Sequence, residues 1–259
     1  MALFTDAAIV TLEDLLPFEA SLVQLASSHG INVETKISLA TSAIGDKLTL
    51  WILAAGASDP QWLIRRSIGL STLVLTPPLQ KWICFESLAR IFAEAYNVQL
   101  NTRFQGKWTE YQNEAKNAAE LFFLSGAGIV YQPLPKPEMP LVSVQSGNAP
   151  AQVLYVQTSW TDSRGNESAL SPVNGSVLGD NSSIVVAMSE GAVQVPKAAV
   201  GWNVYISSTE NDQTRQNGSP LELGSTWELP SSGLVSGPQA SGGQQVEAYI
   251  PLLKQIRRG

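Results

Sequence analysis

The sequence has little of what most active sites are built from. Among 259 residues there is one cysteine, Cys84, and one histidine, His29. A lone cysteine excludes an internal disulfide framework. One Cys and one His together exclude a zinc site of the usual His/Cys kind. Charge is also scarce, at 15% of residues against 44% hydrophobic, and the net charge of −6 gives no electrostatic reason for nucleic-acid binding. The N-terminus shows no basic stretch followed by an apolar core, so no secretory signal is expected. The most apolar run, 48–57, is too short to span a bilayer. These absences lead to the expectation of a protein that folds in a cytoplasm without a membrane.

Motifs that carry chemistry are missing as well. Gly126-Ala127-Gly128 is not a dinucleotide loop, because the third glycine of that fingerprint falls at Tyr131 and the run follows a helical pattern. No Gly-Lys-Ser/Thr phosphate loop occurs, and no second carboxylate is placed opposite the acidic pair Glu13-Asp14. His29 precedes Gly30 at a predicted helix end, where its cation would complement the helix dipole. Cys84 lies between Trp82 and Phe85 on an apolar helix and reads as core. No catalytic, cofactor-binding or metal residues are expected, and no cofactor.

What is present divides into two grammars. Residues 1–131 read as an all-α domain of roughly five helices. Thr11 and Asp14 suggest a capping box before Leu15, Phe18, Leu22 and Leu25, with Pro17 set to kink that helix or mark its first turn. Gly30 supplies a left-handed cap. Asn32 caps a helix whose stripe is Ile37, Ala40, Ile44, Leu48 and Trp51. Asp59-Pro60 opens a short helix carrying Arg65 and Arg66, which either form a solvated face or touch nucleic acid or a partner carboxylate. Thr76-Pro77 opens an amphipathic helix through Trp82, Phe85, Leu88, Phe92 and Tyr96. A last helix spans about 107–124, stopped by Gly126 and Gly128.

Four prolines within 132–140 predict an extended linker over 132–150. Period-two strands follow over 151–240. Leu154, Val156, Thr158 and Trp160 share one face, and Val153, Tyr155, Gln157 and Ser159 the other. Further strands are expected at 183–188 and 200–207, with one or two over 221–229, which together suggest a small antiparallel β-sandwich. Trp202 and Tyr205 must face opposite sides, one in the core and the other partly exposed. With Trp160, they are candidates for a sugar platform. Sequons at Asn166, Asn174, Asn181 and Asn217 read as turn formers.

In the loop TDSRGNESALSP (161–172), Arg164 stands among the oxygen ligands Asp162, Asn166 and Glu167, which argues against calcium. Gly165-Asn166 suits a tight turn instead. The segment 241–259 follows a glycine pair. From Glu247 onward it is locally net +2, from Lys254, Arg257 and Arg258 against Glu247. It is either a solvated tail or a docking arm, and its apolar side chains favour the arm.

The stretches YVQTSWTDSRGNESALSP, VGWNVYIS and PLELGSTWELPSSGL resemble the fibronectin type III and immunoglobulin-like modules of bacteriophage structural proteins. The helical half, through TLEDLLPFEASL, INVETKISLATSAIGDKLTLWI and WICFESLARIFAEAYNVQL, is similar to the head–tail connector (adaptor) proteins of tailed phages. The resemblance implies an α+β multidomain protein: a helical bundle, a β-sandwich and a C-terminal arm. It implies a structural virion protein of the neck, made in the host cytoplasm and assembled as a ring homo-oligomer, a dodecamer like the portal it meets. Its partners would be the portal protein and tail or neck proteins, with genomic DNA passing through the lumen. The resemblance further implies that the arm docks on the portal, through Tyr249, Ile250, Leu252, Leu253 and Ile256 as apolar anchors and Lys254, Arg257 and Arg258 as cations. The alternative is a tail-fibre or surface module that binds glycans.

Overall fold

The computed structural model describes residues 1–6, 9–58, 68–99, 102–189 and 195–250. Within them, a helical region precedes antiparallel sheets, an α+β layout. The expected helix start at Asp59-Pro60, with Arg65 and Arg66, lies outside the described residues.

Five α-helices are described: α1 (Leu12–Leu15), α2 (Leu22–His29), α3 (Val33–Ser58), α4 (Pro77–Gln99) and α5 (Thr102–Ser125). The Asp14 carboxylate accepts the Thr11 backbone N–H at 2.8 Å, which fixes the start of α1. The helix ends after one turn beside Pro17, so the stripe expected to run through Leu25 is broken into two helices. Gly30 closes α2 at φ 66°, a left-handed conformation that glycine adopts without cost. The Asn32 side chain caps α3 by accepting the Thr35 N–H at 2.9 Å. The buried stripe of α3 is Ile37, Ala40, Ile44, Leu48 and Ile52, with Trp51 only half-buried. On α4, Trp82, Leu88 and Phe92 are buried; α5 starts five residues before the expected Lys107. Phe92 and Tyr111 join α4 to α5 with ring centroids 5.5 Å apart.

The apolar run expected to be too short for a bilayer sits inside a longer element. Val33–Ala54 is long and apolar enough to cross a membrane by length and composition, because α3 carries apolar residues on two faces. A ten-residue run did not reveal this, since the second face, from Leu39 to Leu53, is spread over about four turns.

The strands are β1 (Ala127–Ile129), β2 (Leu141–Ala149), β3 (Gln152–Asp162), β4 (Asn174–Leu178), β5 (Ser182–Ala187), β6 (Ala199–Ser207), β7 (Thr214–Arg215), β8 (Leu221–Glu222), β9 (Thr226–Glu228) and β10 (Ala248–Ile250). One sheet has the order β2-β5-β9 and another β4-β3-β6-β7, with β8 also paired to β6. Both sheets are antiparallel and share one core. That core contains Leu154, Val156 and Trp160 of β3, Ile184 and Val186 of β5, Trp202, Val204 and Ile206 of β6, and Trp227 of β9.

By internal contacts the chain forms two compact units. One comprises Ala7–Tyr131 and Val246–Gly259; the other comprises Met1–Asp6 and Gln132–Gln245. Two expectations need correction. Residues 132–150 are not a free linker: Leu134 lies in the β core and 141–149 form β2. The polar side chains of β2 hid its pairing with β5. The arm does not begin at 241 either. Gly242 and Gly243 hold φ of 76° and 105°, and Gln244 is buried, its amide donating to the Gln132 carbonyl at 2.9 Å. In that same unit Asp6 accepts the N–H groups of Leu3 and Lys136, at 2.7 and 2.8 Å.

Candidate functional site

The residues expected to dock a partner begin at β10. Tyr249 and Ile250 are described, whereas Leu252, Leu253, Lys254, Ile256, Arg257 and Arg258 lie outside the described residues. β10 pairs antiparallel with β1, placing Tyr249 opposite Gly128 and Ile250 opposite Ala127. β1 is buried throughout, and its other side is bonded to the segment before α4: the Val74 N–H donates to the Gly128 carbonyl at 2.9 Å, and the Val130 N–H to the Thr72 carbonyl at 2.9 Å. Glu247 secures the corner twice. Its N–H donates to Ile129 O at 2.9 Å, and its carboxylate accepts the Tyr131 N–H at 2.6 Å. A Cβ on Gly128 would lie 2.8 Å from Val246 Cγ2 and 3.0 Å from Thr76 Cγ2, so the strap sits tightly.

This geometry separates the two described anchors. Ile250 is buried in its own unit and cannot be an exposed anchor, which corrects the expectation for that residue. Alternation puts Tyr249 on the other face, where it is exposed.

The 161–172 loop folds back on β3 as a flap. Asp162 accepts the N–H groups of Arg164 and Asn166 at 2.9 and 2.8 Å, and the Asn166 side-chain amide at 2.9 Å. Its carboxylate is therefore spent inside the turn. Beyond the turn the chain runs back along β3. Ser168 and Trp160 exchange N–H···O contacts at 3.0 Å, and so do Ser171 and Thr158 at 2.9–3.0 Å, each serine contributing its hydroxyl oxygen and its own N–H. This covers the part of β3 that β4 does not reach.

Glu167, carried on the flap, closes over the outer face of β6. Its carboxylate accepts the Tyr205 hydroxyl at 2.6 Å and a side-chain N–H of Asn203, with Arg215 at 3.9 Å. Burial first, then the Glu167 carboxylate, pushes the Tyr205 phenol well above its ordinary value. Trp160, Trp202 and Tyr205 are all buried, so the expectation that one of Trp202 and Tyr205 is partly exposed is corrected: the flap covers the Tyr205 face. Of the sequon asparagines, Asn166, Asn174 and Asn217 use their side-chain amides in hydrogen bonds, and Asn181 holds a turn at φ 56°.

Recesses among the described residues include two with distinct linings. A cleft of 460 Å³ at one end of the β sheets is lined by Asn148, Gln152, Ser182, Ser183, Glu228 and Ser231 among others, with no aromatic ring for a sugar to stack on. A 310 Å³ groove in the helical unit has Trp82, Ala89 and Trp108 on its walls and Lys47, Arg90 and Lys116 among its lining. Lys47 lies 5.6 Å over the Trp82 ring and Arg90 is paired with Glu86 at 3.0 Å. Such a groove can seat an apolar side chain beside an acid. Among the described residues no group of three or more His, Cys, Asp or Glu side chains is disposed to hold a metal.

The described residues thus form an α+β chain. No known protein family, curated protein or solved structure matches it.

Proposed function

We propose that this chain is a non-enzymatic structural subunit of a tailed-phage virion, a head–tail adaptor. Copies pack side by side through the helical unit into a ring beneath the portal, with tail or neck proteins below and genomic DNA passing through the lumen. One observation carries the reading, the outer face of α3. Leu39, Leu50 and Leu53 are 47%, 68% and 58% exposed. Spacings of eleven and three residues bring them to one helix face, opposite the buried Ile37–Ile52 stripe. An apolar face of this kind marks an interaction surface. Asp46 lies on that same face and would cost about 2.5–3.5 kcal/mol at a bilayer centre, so a neighbouring protein suits it better than lipid.

The finer architecture belongs to the same proposal. The two compact units act as two domains, the second a β-sandwich of the fibronectin type III or immunoglobulin-like kind; the two antiparallel sheets around one core support this. Portal docking is assigned to exposed Tyr249 and the residues after β10. The aromatics on which a glycan-binding alternative rested, Trp160, Trp202 and Tyr205, are each buried.

The test is a chain ending at Ile250, which removes 251–259 and keeps β10 paired. Portal binding in solution should be lost while the thermal midpoint stays that of the full chain. Unchanged portal affinity would refute the docking assignment.

A further inference from the structure

Strand β2 lies at the edge of its sheet and, among the described residues, pairs only with β5. Proteins usually blunt such an edge with lysine, proline, a bulge or a covering segment. Here Pro140 precedes the strand, and a register shift between Ser146 and Ala149 bulges its far end. Between these two devices runs the six-residue stretch LVSVQS (141–146), with no charge and no proline. It is also longer than β9, at the opposite edge of the same sheet.

The core is only partly covered along this flank, where β4 of the other sheet approaches β2 and the Asn174 side-chain amide donates to the Pro140 carbonyl at 2.9 Å. Val142 packs against the shared core of the two sheets. Val144, two residues on and so on the same face, is 50% exposed. Leu141, on the other face, is exposed as well. An apolar side chain turned towards the core but left uncovered sits beside a row of main-chain donors and acceptors. Only another extended strand complements both.

We propose that β2 pairs antiparallel with β2 of a second copy of this chain, joining two three-stranded sheets across a two-fold axis. Neutrality selects this occupant. In every antiparallel register an uncharged residue meets an uncharged one, whereas a charged strand would meet its own charge across the axis. A two-fold through Val144 sets that valine against itself and Ser143 against Gln145. The contact is isologous and closes at two copies. It is therefore distinct from the heterologous contact that a ring requires, and it doubles the mass of whatever closed assembly the helical unit forms.

Sedimentation velocity on the full chain tests this, using Val144→Lys, Val144→Glu and Val144→Thr, with circular dichroism and thermal unfolding as folding controls. The Lys and Glu variants should each sediment at half the mass of the parent protein. Val144→Thr should keep the parent mass. An equimolar mixture of the Lys and Glu variants should recover the doubled species, because opposite charges then meet across the axis. Parent mass in the charged variants, or a mixture that stays at half mass, overturns the proposal. If a charged variant at 144 fails to fold, Ser143→Lys mixed with Gln145→Glu, both at exposed positions, reads the same contact.

Discussion

Glu167 shows how much one side chain can organise. Its carboxylate serves Tyr205, Asn203 and Arg215 from a loop that has folded back over β6. Glu167→Ala leaves the Tyr205 hydroxyl and the Asn203 amide buried without their acceptor. We expect a stability loss of about 2 kcal/mol in urea unfolding, against about 1 kcal/mol for Tyr205→Phe, which removes donor and need together. Alternation along 200–207 placed Tyr205 and Trp202 on opposite faces, because period two is a property of the strand itself. It could not show that a loop 38 residues earlier in sequence covers the Tyr205 face, as the hydrogen bond from Tyr205 to Glu167 records.

Glu19 gives the residue-scale pH prediction. Burial alone would raise its pKa, but the hydroxyls of Ser21 and Tyr111 and the Lys107 ammonium outweigh it and hold the group below its ordinary 4.5. A depressed carboxylate contributes stability that is full above the ordinary value and lost as pH falls through the folded one. The stability difference between the parent protein and Glu19→Gln should therefore shrink as pH falls through the acid range below the ordinary 4.5. A constant difference across that range would contradict it. The Cys84 thiol, pushed up to about 12 by burial and then by the Asp14 charge, should react with thiol reagents at neutral pH only on unfolding.

At the scale of elements, caps and stripes were legible wherever a local rule decides the outcome. Asn32, Gly30 and Pro77 act through neighbours within a turn, and the structure uses all three, although the Thr76 hydroxyl makes no capping bond. The second apolar face of α3 was missed because Leu39 lies eleven residues before Leu50, outside the short apolar run that holds Leu50 and Leu53. β2 and β4 were missed because Ser, Asn and Gly dominate them and mimic turns. β1 and β10 are three residues each, and only their long-range pairing makes them strands. Gly128 gives the test at this scale. Gly128→Val should drive its side chain into Val246, cost about 2 kcal/mol by overpacking, and raise amide exchange at Ala248–Ile250 while leaving α2 unchanged.

At the scale of the whole molecule, the chain crosses between its two compact units three times, so each unit holds a piece from both halves of the sequence. Composition correctly separated a helical region from a strand region. It could not place Met1–Asp6 with the strands or Val246–Ile250 with the helices, because both assignments rest on hydrogen bonds to residues more than a hundred positions away. The leucines on the outer face of α3 and the edge of β2 are both surfaces that fit other protein chains. Together they support an assembly subunit. Replacing Leu50 and Leu53 with glutamine should leave the unit folded, since both side chains are exposed, and should abolish ring closure.

Electron microscopy of the purified protein, alone and mixed with portal, tests the central claim most directly. Closed rings of uniform diameter that seat on the portal are the predicted result. Monodisperse single copies in both samples, at concentrations where portal rings are intact, would contradict it.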